Sequence, residues 1–423
     1  DYAIPECVAV QIGSYVRAPL GKHERIGVVW DIVEKDPNRD LKAIESVFPT
    51  PPTPAEMRRV VEFCARYNVA GPGQVLGMAL RARGGLSPSP TQTVYAPTGH
   101  RTNRMTPARE KALAAAETMG PGSAAELARA ANVSSSVIKG LAAAGSLRDE
   151  TLPTDLPYPA PDPSRSGPAL TPEHATAGQA LRDAVKSGGY QPFLLDGITG
   201  SGKAEVYFEA ISEPLAKDPS AQVLVLLPEI ALTQAVFERF EGRFGAGPAP
   251  WHSSLSDQQR RRTWREVAHG RARIVTGACS ALFLPFSNLK LIIVDEEHDS
   301  SFKQEDGVRY HARDMAVMRA KLEAATVILA SATPALETVV NAETGRYQRL
   351  KLSARPGAAR LPDMQLVDLR SNTPETGHWL SPVLSKALIA THEAGEQSLL
   401  FLNRRGYAAL VICIACGERR KSP

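Results

Sequence analysis

Apolar positions in the first 86 residues alternate and then change period. Ser14–Pro19 (SYVRAP) and Arg25–Val33 (RIGVVWDIV) read as strands around the turn Leu20–Glu24 (LGKHE). Pro54–Tyr67 (PAEMRRVVEFCARY) has the spacing of an amphipathic helix. Three short Ala-rich helices follow between Glu110 and Leu147; the second opens at Ser123 with Glu126 three residues on, a capping box. Three helices at this spacing fit a winged-helix or helix-turn-helix module and equally a connecting bundle. Thr151–Pro168 (TLPTDLPYPAPDPSRSGP) is too rich in proline for a helix or central strand and reads as a semi-rigid linker. After Leu170 the apolar runs become continuous: FLL, VLVLL, RIVTG, LIIVD and TVILA, separated by helical stretches such as EVYFEAISEPLA and ALTQAVFERFEGRF. Continuous runs fit strands buried on both faces, as in a parallel sheet wound by helices. A second unit begins near Leu380 with a helix and the strand Gln397–Asn403 (QSLLFLN).

At 423 residues the chain exceeds one core, and roughly two to four domains are expected. Hydrophobic residues at 43% and charged residues at 22% describe an ordinary folded protein. With no apolar run of ~20 residues, no membrane span is expected, and no leader pattern suggests export. Cys7, Cys64, Cys279, Cys413 and Cys416 are too scattered for a secreted disulfide framework, which favours a reducing cytoplasm. The net charge of +4 is compatible with a nucleic-acid partner and with almost any other.

The chemistry lies in the second half. Gly197-Ile198-Thr199-Gly200-Ser201-Gly202-Lys203 stands between a strand and a helix. Its glycines allow backbone amides to surround phosphates at a helix N-terminus, and Lys203 would reach the β- and γ-phosphates. Ala204 follows where a Ser or Thr hydroxyl would bind Mg²⁺. The bland alternative is a Gly-rich turn that binds nothing. Asp295 and Glu296 end the strand LIIVD, where Asp295 can hold hydrated Mg²⁺ and Glu296 can orient or activate water; isolated, such a run would be a solvated charge cluster. Ser331 and Thr333, after TVILA, can relay nucleotide state through hydrogen bonds. Cys413-Ile-Ala-Cys416 reads as half a zinc site, or else a redox pair or coincidence. Arg260, Arg261, Arg262 and Arg265 with Trp264 are either a solvated helix face or a basic patch.

The runs LLDGITGSGKAEVY, LLPEIALTQ, HSSLS, SALFLPF, VDEEHDSSFKQEDGVRYHARD, SATPALET, FLNRRGYA and CIACG occur in this order. Together they resemble the primosomal replication-restart helicase family of superfamily 2. The resemblance implies an α/β fold: a small β-rich 3′-end DNA-binding domain (1–100), a winged helix (105–150), the Pro-rich linker (151–168), a RecA-like P-loop lobe (169–370) and the start of a second lobe (371–423). It places Asp1, Gly21 and Lys42 in a 3′-end pocket. It makes Phe302–Asp314 an aromatic-rich loop in which Phe302, Tyr310 and His311 offer stacking surfaces and Arg309 and Arg313 bind phosphate. It places His252, Asn403 and Arg404 within family motifs. It implies ATP-driven 3′-to-5′ unwinding at abandoned forks, with ATP, Mg²⁺ and structural Zn²⁺ as cofactors. Forked and single-stranded DNA, single-strand-binding protein and primosomal proteins are the implied partners. The chain departs from the family at Ala204, at His174 for an adenine-reading Gln, at Cys279 for an Arg and at Val308 for a Trp. The departures at Ala204, His174 and Cys279 suggest impaired ATPase activity, and that at Val308 suggests weaker base stacking. The rival readings are a non-catalytic fork-binding scaffold and another P-loop translocase such as a branch-migration enzyme.

Overall fold

The computed structural model describes residues 1–6, 8–34, 38–353, 363–374, 378 and 380–401, and the backbone of 411–412 and 419–420. The chain divides into two compact units, Asp1–Ala358 and Ala359–Pro423.

The larger unit starts with strands β1 (Tyr15–Leu20) and β2 (His23–Val28), joined by Gly21-Lys22, and β3 (Ser46–Val47) on the other side of β1. Gly21 has φ +64, the left-handed conformation a tight hairpin turn demands. The expected second strand ran to Val33. The strand ends at Val28, which faces Tyr15, the first residue of β1; beyond it the Val29 amide donates to the Ser14 carbonyl at 2.9 Å and the Val29 carbonyl accepts from the Gly13 amide at 2.7 Å, and residues 30–33 lie outside the ladder. Helices α1 (Ala55–Tyr67) and α2 (Pro72–Ala79) follow, with Met57, Val60, Val61 and Cys64 of α1 buried along one stripe.

Strand β4 (Thr91–Pro97) does not join that sheet. It pairs with β5 (Gly122–Ser123) and β6 (Leu147–Pro153) in the antiparallel order β5-β4-β6, around α3 (Pro107–Met119), α4 (Ala124–Ala131) and α5 (Ser135–Ala143). The sheet boundary therefore falls before Thr91, inside the stretch assigned above to residues 1–100. At the other limit β6 reaches Pro153, inside the expected linker; as an edge strand it tolerates proline. Ser123 caps α4, accepting from the Glu126 amide at 3.3 Å while its own amide donates to Glu126 Oε2 at 2.9 Å.

The remainder of this unit is a seven-stranded sheet. Its elements are α6 (Pro172–Ser187), β7 (Gln191–Gly197), α7 (Lys203–Lys217), β8 (Gln222–Leu226), α8 (Gln234–Phe244), β9 (Ala249–Trp251), α9 (Asp257–Ala268), β10 (Ile274–Gly277), β11 (Leu289–Asp295), α10 (Ala312–Glu323), β12 (Thr326–Ser331), α11 (Leu336–Glu343) and β13 (Gln348–Leu352). The order is β13-β7-β12-β11-β8-β10-β9, parallel throughout. Alternation along each strand separates two cores: Leu224, Leu226, Ile292 and Val294 face α1, α9 and α10, while Val223, Val225, Leu291 and Ile293 face α6, α7 and α8.

The smaller unit contains α12 (Pro382–Glu393), capped by Ser381, and an antiparallel pair, β14 (Val411–Ile412) with β15 (Arg419–Arg420). Gln397–Phe401, within the expected strand Gln397–Asn403, forms no strand. Asn403, Arg404, Cys413 and Cys416 lie outside the described residues. No described helix is long and apolar enough to cross a membrane.

Candidate nucleotide and DNA sites

Strands β7, β12 and β11 are neighbours in the sheet, so the turns after Gly197, Ser331 and Asp295 leave the same edge. The C-terminal edge of a parallel sheet is where ligands bind.

The turn after β7 depends on close approach. A Cβ on Gly197 would stand 2.5 Å from Ser201 Oγ and 3.1 Å from Leu352 Cβ. Gly200 and Gly202 take φ of +75 and +78, and Gly202 caps α7. Ile198 is 41% exposed at the turn, Thr199 lies beside it, and Ser201 is buried with its Oγ unpartnered. Lys203, 9% exposed, donates from Nζ to the Gly197 carbonyl at 3.1 Å and stands 4.0 Å from Glu296 Oε1. A tight turn, a lysine held at its mouth and a helix N-terminus can together cradle a polyphosphate. Ala204 contributes a methyl to the apolar core beneath, and no oxygen. The buried His174 imidazole bridges Thr171 Oγ1 and the Ser201 carbonyl, so in this chain it braces the turn's backbone.

Across the edge, Tyr207 donates its hydroxyl to Asp295 Oδ2 at 3.1 Å, and the Glu296 amide donates to Asp295 Oδ1 at 3.0 Å. Burial, reinforced by the Glu296 charge, pushes the Asp295 carboxyl above its ordinary 3.8. Burial also raises the Tyr207 hydroxyl far above 10, which keeps it a donor. Glu296 takes φ +49, a left-handed conformation costly for a side-chain-bearing residue. His298 Nδ1 lies 3.6 Å from Glu296 Oε2 and 2.8 Å from Ser331 Oγ, which accepts from the Thr333 amide at 3.0 Å. Lys203, Glu296, His298, Ser331 and Thr333 thus form one polar line. Sequence reasoning passed over Tyr207 and His298. Tyr207 sits one helical turn beyond Lys203, on the same face of α7, a spacing that could have pointed to it.

The 302–314 segment departs from expectation. Phe302 and Tyr310 are 0% and 2% exposed, and Tyr310 packs edge-on against Phe283 at 5.2 Å. Arg313 is paired with Glu297 at 3.2 Å and Asp314 at 3.0 Å. In this conformation neither ring offers a stacking face and Arg313 is not free for phosphate, because the segment lies over the core shared with α1. Arg309 remains exposed. Of the arginine cluster, Arg265 is buried on Asp155 at 2.8 Å, and Arg262 lies over the Tyr158 ring at 4.1 Å. Arg260 lines a cavity with Arg81, Glu229, His252 and Cys279 beyond β9 and β10. Burial pushes the Cys279 thiol up to about 11, so it stays neutral.

At the amino end, Ala3 exchanges backbone hydrogen bonds with Lys42 (2.9 Å) and Ile44 (3.0 Å), and Tyr2 donates its hydroxyl to the Pro19 carbonyl at 3.1 Å. These contacts draw Asp1, Gly21 and Lys42 to the same end of the small sheet. Arg39, absent from the sequence reading, pairs with Asp1 at 2.7 Å.

Residues 178–342 match the family model for DEAD/DEAH box helicases. By class, strands β7 to β12 and the three turns therefore lie in a DEAD/DEAH box helicase domain. Residues 1–81 match the model described as the 3′DNA-binding domain. The Haemophilus influenzae replication restart protein PriA is 37% identical over 100% of this chain and 59% of its own length. The Rickettsia conorii protein of the same name is 32% identical over 99% of this chain and 54% of its own, and that of Bacillus subtilis is 42% identical over 71% and 37%. The chain belongs to the PriA replication restart family and spans little more than half the length of the relatives that cover it end to end. A solved structure of RecG bound to a three-way DNA junction aligns over 46% of this chain and 25% of its own, at 20% identity and a TM-score of 0.36.

Proposed function

We propose that this chain recognises the 3′ end of a nascent strand at an abandoned replication fork and binds Mg·ATP on the lobe beside it. In the intact family this serves 3′-to-5′ unwinding that lets a primosome assemble. The observation carrying this reading is the convergence of Lys203, Asp295 and Glu296 at one sheet edge, on the same body as a 3′ DNA-binding domain. Gly197–Ala204 would hold the phosphates, Asp295 the hydrated Mg²⁺, and Glu296 the attacking water, with Ser331 and Thr333 as the coupling pair. Asp1, Gly21 and Lys42 would receive the 3′ end, and Arg309 a phosphate; Tyr310 and Arg313 would join only after leaving their present packing. The three helices with β4–β6 serve as a winged helix. Cys413 and Cys416 would supply half of a Zn²⁺ site, and single-strand-binding protein and primosomal proteins are the partners, in a bacterial cytoplasm.

Ala204 supports a second reading, in which the chain is a fork-binding scaffold with little turnover. Mg²⁺ held without the hydroxyl is positioned less firmly as the phosphate bond breaks. The test compares forks ending in 3′-OH and 3′-phosphate at fixed salt, since phosphate contacts are salt-dependent. Phosphate release is measured on the same forks. The 3′-OH fork should bind more tightly, without DNA-stimulated turnover, and Ala204→Thr should raise turnover. Equal affinities would remove the end pocket; turnover near about one per second, a typical enzyme rate, would remove the scaffold reading.

A further inference from the structure

Glu297 follows the water-orienting candidate and is 0% exposed. Its Oε1 accepts from the Ala335 amide at 2.7 Å, and its Oε2 accepts from Thr338 Oγ1 at 2.9 Å and from Arg313 Nη1 at 3.2 Å. Its own amide donates to the Ala330 carbonyl at 3.1 Å. Ala335 caps α11, immediately after the Ser331–Pro334 turn, and Arg313 lies in the first turn of α10. A carboxylate this deeply buried persists only when paired and fully hydrogen-bonded, and here its partners come from two different helix starts. Glu296, in its left-handed conformation, sits between Asp295, which accepts its amide, and this anchored neighbour. The Glu296 turn therefore cannot shift without pulling on both helix starts.

We propose that Glu297 is a positioning residue. It ties the turn that carries Glu296 to the starts of α10 and α11, so that nucleotide contact at Lys203 and Glu296 tightens both. This rests on the nucleotide-binding reading above. Phosphate-loop protection serves as the internal control that separates failure of one from failure of the other.

The experiment is hydrogen exchange on the whole chain with and without Mg·AMP-PNP. In the wild type, exchange should slow at 197–204 and also, on the order of fivefold, at 312–316 and 333–339, the low end of ordinary coupling. Glu297→Gln should keep the protection at 197–204 and lose it at both distant segments. Thr338→Val leaves the Arg313 pair intact and carries the test if Glu297→Gln does not fold. It should lose protection at 333–339 and keep it at 312–316. Distant protection that survives Glu297→Gln, or that never appears in the wild type, overturns the proposal. Absence of protection at 197–204 in the wild type overturns the nucleotide reading and this proposal with it.

Discussion

Met57, Val60, Val61 and Cys64 of α1 share a buried cluster with Leu224, Leu226 and Val294 of the sheet. By contrast, Leu113, Leu127, Ile138 and Leu141 of the β4–β6 module pack in a cluster of their own. The first module is also locked in place by polar contacts: Trp264 Nε1 donates to the Ala79 carbonyl at 2.9 Å, and Arg265 Nε to that of Ser87 at 3.1 Å. A Cβ on Gly85 would stand 2.7 Å from the Trp264 ring, so the two surfaces meet backbone to indole. The difference teaches that neighbours in sequence need not have the same mechanical standing. The 3′ DNA-binding module shares the lobe's core, whereas the three-helix module packs around a core of its own and is expected to open at lower free energy than the sheet.

Trp264→Ala should break this comparison hardest. It removes a fully buried indole that also meets the Tyr15 ring edge-on at 5.6 Å. A loss of about 3–5 kcal/mol is expected, seen as a lower thermal midpoint and faster exchange in α1 and β8 together. Leu127→Ala is the counterpart. It should loosen residues 91–153 while leaving β8 protection unchanged; matching loss in β8 would show that the modules are not mechanically distinct.

Asp155 sharpens the boundary. Burial pushes its carboxyl up, but hydrogen bonds from Arg265 and Gln258 and the Arg265 charge outweigh burial and hold it below its ordinary 3.8. A depressed carboxyl stabilises fully above its unfolded value and loses that contribution as pH falls through the native one. Asp155→Asn should therefore cost about 3 kcal/mol at neutral pH and flatten the decline in stability below about pH 4. An unchanged acid limb in chemical denaturation would refute the assignment.

Five of the seven sheet strands were legible because both their faces are buried, which leaves continuous apolar runs. The other two of the seven were not. β13 is an edge strand whose Gln348, Arg349 and Lys351 face solvent, and β9 is only three residues long. The placement of the Gly-rich turn after β7 and of the acidic run after β11 was legible because each follows an apolar strand at a fixed spacing. The burial of Tyr310 and Arg313 was not. A loop of aromatic and basic residues looks alike whether it lies on solvent or over a core contributed from 250 residues upstream, and α1 supplies that core here. Arg265 and Trp264 were ambiguous for the same reason, since their partners at Asp155 and Ala79 are remote in sequence.

The smallest effect concerns strain inside the first module. Val69 takes φ +51 while 95% exposed, so Val69→Gly relieves backbone strain without losing contacts. A gain of about 0.5–1 kcal/mol is expected, net of the greater freedom glycine has when unfolded. A drop in the thermal midpoint would contradict it.

Native-state hydrogen exchange across a denaturant series tests most directly whether the DNA-end module and the nucleotide lobe are one cooperative body. Amides of α1 from Met57 to Cys64 and of β8 from Val223 to Leu226 should converge on one opening free energy and one denaturant slope. Amides of α3, α4 and α5 should open at lower free energy. If α1 opened together with α3–α5 while β8 stayed protected, the end-binding module would not be part of the lobe.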